Sequence, residues 1–151
     1  MKVEERGYCY FCELWIVNCE SGKTLHQNLS YMFLKLNHQK LNVYAISREF
    51  VSECYHLSKK LPSEEKFGMI TQIRRAALSV HLNIAEGASR KSEGERKRYY
   101  EIARGSVIEI DAALDVAADL KYLVGIETGN LSRSMVNCFR ILSGLIGPKP
   151  K

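Results

Sequence analysis

Four polar side chains interrupt an otherwise apolar stretch: Arg75, Ser79, Asn83 and Glu86, at spacings of four, four and three. On an α-helix those spacings bring them to one face. A second stretch, Ile102-Ala103-Arg104-Gly105-Ser106-Val107-Ile108-Glu109, offers Ser106 and Glu109 one turn apart. Polar groups in apolar surroundings must pair, so these residue types favour a hydrogen-bonded seam between two helices. The alternative is an active centre on Glu86 and Glu109. Two carboxylates without a His–Asp pair, a nucleophile or metal-ligand spacing speak against it. No catalytic residue is assigned, and the chain is expected not to be an enzyme.

Three further groupings bear on chemistry. Arg90, Lys91, Arg96, Lys97 and Arg98 place five basic residues in nine, against Glu93 and Glu95, with Tyr99 and Tyr100 following. Such a run is either a solvated loop and helix start or a phosphate-binding surface, strengthened if repeated around an oligomer. With Arg74 added, these six are the candidate nucleic-acid contacts. Arg75 followed by His81 is similar to the pair that helical ribonucleases of the HEPN type use to polarise a phosphate and move a proton. Those enzymes commonly carry a polar residue after the Arg, and here Ala76 follows. A lone His on an apolar helix is more often a packed side chain. Cys9, Cys12, Cys19 and His26 could be written as a zinc set, but the spacing matches no common finger, and no metal or cofactor is expected.

The charge balance is compatible with an anionic partner: 22 Lys and Arg against 17 Asp and Glu, net +5. Five cysteines, an odd number, fit a reducing compartment. The apolar residues 8–17 contain Glu13 and follow Glu4 and Glu5, unlike an export signal, and no run approaches a membrane span. A cytoplasmic protein without membrane contact is expected.

The elements that must position these residues are helical. Residues 1–31 show no sustained period and are read as an extension, with translation starting at Met32; 32–151 form the fold. A first helix is expected over 38–60, closed by Leu61-Pro62-Ser63, with Ser63 capping a second over 64–86. Gly87 is placed at its left-handed C-terminus. Ser92-Glu93-Gly94-Glu95 reads as a capping box opening a third helix to about 124. Along it Tyr99, Ile102, Ser106, Ile110, Ala113, Ala117, Leu120 and Val124 recur as an inward face, while Asp111, Asp115 and Asp119 mark a solvated one. Gly105 implies close helix approach. A fourth helix over 131–145 turns Leu131, Met135, Cys138, Leu142 and Leu145 inward. Short connections make this an all-α, antiparallel, up-and-down four-helix bundle. Residues 76–85 are apolar on every side, seven of ten, so a second cover is needed, most simply another subunit.

The stretch Gln72-Ile73-Arg74-Arg75-Ala76-Ala77-Leu78-Ser79, then Asn83-Ile84-Ala85-Glu86-Gly87, then Ile102-Ala103-x-Gly105-Ser106-x-x-Glu109, resembles the bacterial four-helix family named for intervening sequences in large-subunit ribosomal RNA genes. The resemblance covers about residues 33–146. It implies a homopentameric ring with a basic surface and RNA or DNA as partner. It extends to accessory proteins of diversity-generating retroelements, which implies a reverse transcriptase as a further partner. His81 stands where that family commonly has Pro. The expected function is a non-enzymatic, oligomeric, nucleic-acid-associated scaffold, with a helical ribonuclease or a protein-only adaptor as alternatives.

Overall fold

The computed structural model describes residues 36–147. The extension 1–31, the start at Met32 and the Cys9, Cys12, Cys19 and His26 set lie outside the described residues. Within them stand four helices and no strand: α1 (Asn42–Ser58), α2 (Met69–Ser89), α3 (Glu93–Asp119) and α4 (Gly129–Ile146). Cross-helix pairs fix their directions. Ser47 of α1 meets His81 of α2, and Ser58 meets Arg74. One number rises as the other falls, so the two helices run antiparallel. The same holds between α2 and α3, where Gln72 bonds Glu109 and Ser79 bonds Ser106. Helix α4 packs on α3 and closes back on α1. The result is the up-and-down four-helix bundle.

All four helices supply the core. Phe50 and Cys54, Ile73 and Val80, Val107 and Ile110, and Cys138 and Leu142 are nearly or fully buried. An Ile, Leu or Phe removed from water here contributes roughly 1.5–3 kcal/mol. Burial pushes the thiols of Cys54 and Cys138 up to about 12, so both behave as small apolar groups.

Several boundaries differ from the sequence expectation, each for a local reason. The first helix is interrupted at Leu41, whose extended backbone (φ −77°, ψ 131°) separates a 3-10 turn at Asn37–Lys40 from α1. Ser63 does not cap α2. It opens a second 3-10 turn, Ser63–Lys66, and α2 begins after Gly68, where the Met69 amide donates to Glu65 Oε2 at 3.1 Å. Gly87 lies inside α2, which continues to Ser89. Ser92 is the N-cap residue of α3, but its hydroxyl makes no capping bond. Glu93 and Glu95 in the first turn instead complement the helix dipole.

Helix α3 stops at Asp119, short of the expected end. Lys121 takes φ +62°, and the amides of Tyr122 and Lys121 donate to the carbonyls of Ala117 and Ala118, both at 2.9 Å. This is the paired bonding of a Schellman motif, with Lys121 in the position usually held by Gly.

The buried face of α3 is narrower than its apolar periodicity predicts. Ser106, Ile110 and Ala117 are buried, but Ile102, Leu120 and Val124 are 44%, 49% and 77% exposed. Leu145 on α4, expected inward, is 42% exposed. Asp111, Asp115 and Asp119 face solvent as expected. Gly105 meets no close helix among the described residues: a Cβ built there would find none of their atoms within 4 Å.

Candidate nucleic-acid interface

The basic run is organised by the turn joining α2 to α3. A methyl group on Gly87 would come within 2.9 Å of Tyr100 Cε1 and 3.0 Å of Tyr99 Cβ, so glycine is what lets the start of α3 pack against the end of α2. Arg90 folds back over this contact. It pairs with Glu86, donates to the Tyr99 hydroxyl at 3.0 Å and lies 5.0 Å from the centre of that ring. Arg96 reaches back to the carbonyls of Arg90 at 3.1 Å and Lys91 at 3.5 Å. Arg90 and Arg96 thus hold the turn itself.

The remaining three cations are freer. Lys97 faces Glu93 at 3.5 Å, a largely exposed pair one turn apart, of a kind worth at most about 0.5 kcal/mol. The side chains of Lys91 and Arg98 are exposed and make no hydrogen bond or ion pair among the described residues. Arg74 belongs elsewhere. It lies sixteen positions before Arg90 on α2, about 24 Å along the axis, with Nε donating to Ser58 Oγ at 2.8 Å and the guanidinium 5.3 Å from the Tyr55 ring.

Between α2 and α3, Ser106 Oγ lies 2.9 Å from Ser79 Oγ, and Asn83 Nδ2 donates to the Ser79 carbonyl at 2.8 Å and hydroxyl at 3.1 Å. Glu109 bonds Gln72, one residue the sequence reading left out of the seam although its spacing of seven from Ser79 puts it on the same face. Glu86 is drawn to Arg90, and Arg75 stands exposed without a partner among the described residues.

Arg75 and His81 do not converge. Six residues apart, they project about 120° from each other around the helix. His81 turns toward α1, its Nδ1 2.8 Å from Ser47 Oγ and its ring 4.3 Å from that of Tyr44. Ser47 gives its own proton to the Tyr44 carbonyl at 2.9 Å, so the histidine is the donor in their pair, with Nδ1 protonated. Ser47 is fully buried, out of reach of a substrate. Burial first, then the charge of Arg48 and of His38, holds the His81 imidazole below its ordinary value.

Beside the turn, Glu93, Arg96, Lys97 and Tyr100 line a cavity of about 330 Å³, together with His38 and Leu41 ahead of α1, Ala88 and Leu145. Tyr100 is 4% exposed, and its hydroxyl has no hydrogen-bond partner among the described residues. Burial pushes this phenol up, with Arg96 pulling the other way. The hydroxyl therefore keeps its proton at neutral pH and can donate it.

Among the described residues no group of His, Cys, Asp and Glu could hold a metal ion, and no helix is long and apolar enough to cross a membrane. A family model described as 23S rRNA-intervening sequence protein matches residues 39–144. The chain belongs to that family. No curated protein matches it. The match runs from the 3-10 turn ahead of α1 almost to the end of α4, and so takes in the whole bundle, including the α2–α3 turn and its five cations.

Proposed function

We propose that this member of the 23S rRNA-intervening sequence family is a non-enzymatic, self-assembling protein that binds the phosphate backbone of RNA through the end of the bundle at the α2–α3 turn. The observation that carries this reading is the division of labour among the five cations. Arg90 and Arg96 stiffen the turn, whereas the side chains of Lys91 and Arg98 are exposed without an ion pair among the described residues and Lys97 is held only by its weak pair with Glu93, so these three can turn to phosphate. Contacts of this kind position a nucleic acid without reading its sequence. The family's description names ribosomal RNA, which favours RNA over DNA as the partner.

Self-assembly rests on a second apolar surface. Leu78 and Leu82 on α2 are 41% and 61% exposed, and Ile102 and Val116 on α3 are about half exposed on the same face as Gly105 and Ala112. A neighbouring subunit on this surface would supply the close approach that Gly105 lacks among the described residues. Five copies in a ring, as the family resemblance implies, would set five basic turns around one axis. The test is direct. The parent and a Lys91/Lys97/Arg98→Ala variant are titrated against a labelled RNA duplex in about 50 mM salt. The variant is expected to lose most of its binding, and equal binding by both removes this reading.

A further inference from the structure

The cavity beside the turn combines features that a phosphate-tracking surface does not need. Part of its lining is apolar, supplied by Leu41, Ala88 and Leu145. Arg96 and Lys97 bring cationic groups to the same lining, two of the residues of the basic run, with the Glu93 carboxylate paired to Lys97 beside them. A ring only 4% exposed lines the space, and it carries a hydroxyl that nothing among the described residues engages. A phenol so placed usually finds a partner, and here the partner can come from whatever fills the cavity. The volume of about 330 Å³ lies within the range of small-ligand sites. It is generous for a single nucleobase and its sugar, and far too small for a duplex.

We infer that this cavity receives one unstacked nucleotide, its base against Leu41, Ala88 and Leu145, its phosphate on Arg96 and Lys97, and a base or sugar oxygen accepting from the Tyr100 hydroxyl. Bases extruded from a strand are recognised in this manner, by apolar or aromatic contact with hydrogen bonds to their edges. The inference rests on the reading of the basic turn as an RNA surface and makes it more specific: unpaired strands are preferred to duplex. Lys97 is readily recruited because its exposed pairing with Glu93 is weak. Arg96 is held in place by the Arg90 carbonyl, which orients its guanidinium before any ligand arrives.

Tyr100→Phe isolates the claim, because it removes an unpaired hydroxyl and leaves the ring against Gly87. The full chain and this variant are titrated with an unstructured ten-nucleotide RNA, a ten-base-pair RNA duplex and adenosine monophosphate. The parent should bind the single strand more tightly than the duplex. Tyr100→Phe should weaken single-strand binding roughly threefold to tenfold, the loss of one hydrogen bond, and leave duplex binding unchanged. Ala88→Leu, which narrows the cavity, should act in the same direction. Equal affinity of the parent for strand and duplex, with no effect of Tyr100→Phe, overturns the cavity assignment while leaving the basic surface standing. Binding of the mononucleotide alone, sensitive to Tyr100→Phe, keeps the cavity with a free nucleotide as its ligand and removes the RNA reading. If none of the three probes binds at low salt, both fall.

Discussion

Two glycines show how differently one residue type can be used. At Gly87 an added methyl group meets the buried Tyr100 ring and the Tyr99 Cβ, neither of which can move without disturbing the start of α3. Gly87→Ala is therefore expected to destabilise the fold by about 1–3 kcal/mol, in spite of alanine's better helix propensity. At Gly105 a methyl group meets open space, and Gly105→Ala should stabilise the isolated subunit by about 1 kcal/mol. Denaturant titration of both variants under dissociating conditions checks the opposite signs. His81 supplies a third residue-level expectation. Its imidazole is held below its ordinary value, so the unfolded chain takes up a proton that the folded chain refuses. Stability from this group is present above pH 6.5 and is lost as pH falls through the folded value. Thermal melts between pH 7.5 and pH 5 should show a steeper acid decline for the parent than for His81→Asn.

At the scale of elements, the helices were legible in the sequence and their ends were not. The periodic apolar positions Leu131, Met135, Cys138 and Leu142 name the buried face of α4 without help from the structure, and only Leu145 of that set stays exposed. The ends depend on backbone geometry that residue type only suggests. Gly87 has the composition of a helix stop, yet the nearby tyrosines require its missing side chain inside the helix. Lys121, with no such composition, takes the left-handed conformation instead. That choice has a consequence: Lys121→Gly should stabilise the chain by about 1 kcal/mol, measured by denaturant unfolding, because glycine adopts a positive φ without steric penalty. The candidate interface was legible as a cluster, and its internal roles were hidden. Nothing in the run of residues 90–98 distinguishes Arg96, which ties the turn, from Arg98, which does not. Nor could spacing along one helix place Arg74 against Ser58, since that contact belongs to α1.

For the whole molecule, the apolar run at 76–85 divides between two surfaces. Ala76, Ala77, Val80 and Ile84 face the core, and Leu78 and Leu82 face outward. If the outward pair is covered by another copy, Leu82→Glu would bury an unpaired charge and cost several kcal/mol of association free energy. Sedimentation should then show the parent as an oligomer and the variant as a smaller species with unchanged helical circular dichroism. A monomeric parent at micromolar concentration would contradict self-assembly. The central claim, that the α2–α3 turn neutralises RNA phosphates, makes a quantitative demand of its own. Each phosphate neutralised releases condensed counterions, so the logarithm of the binding constant must fall linearly with the logarithm of salt concentration. The most direct measurement is that slope, for the parent and for Lys91/Lys97/Arg98→Ala, on the same RNA duplex between 50 and 200 mM salt. The account predicts a steep slope for the parent and a clearly flatter one for the variant. Parallel slopes of equal affinity would contradict it.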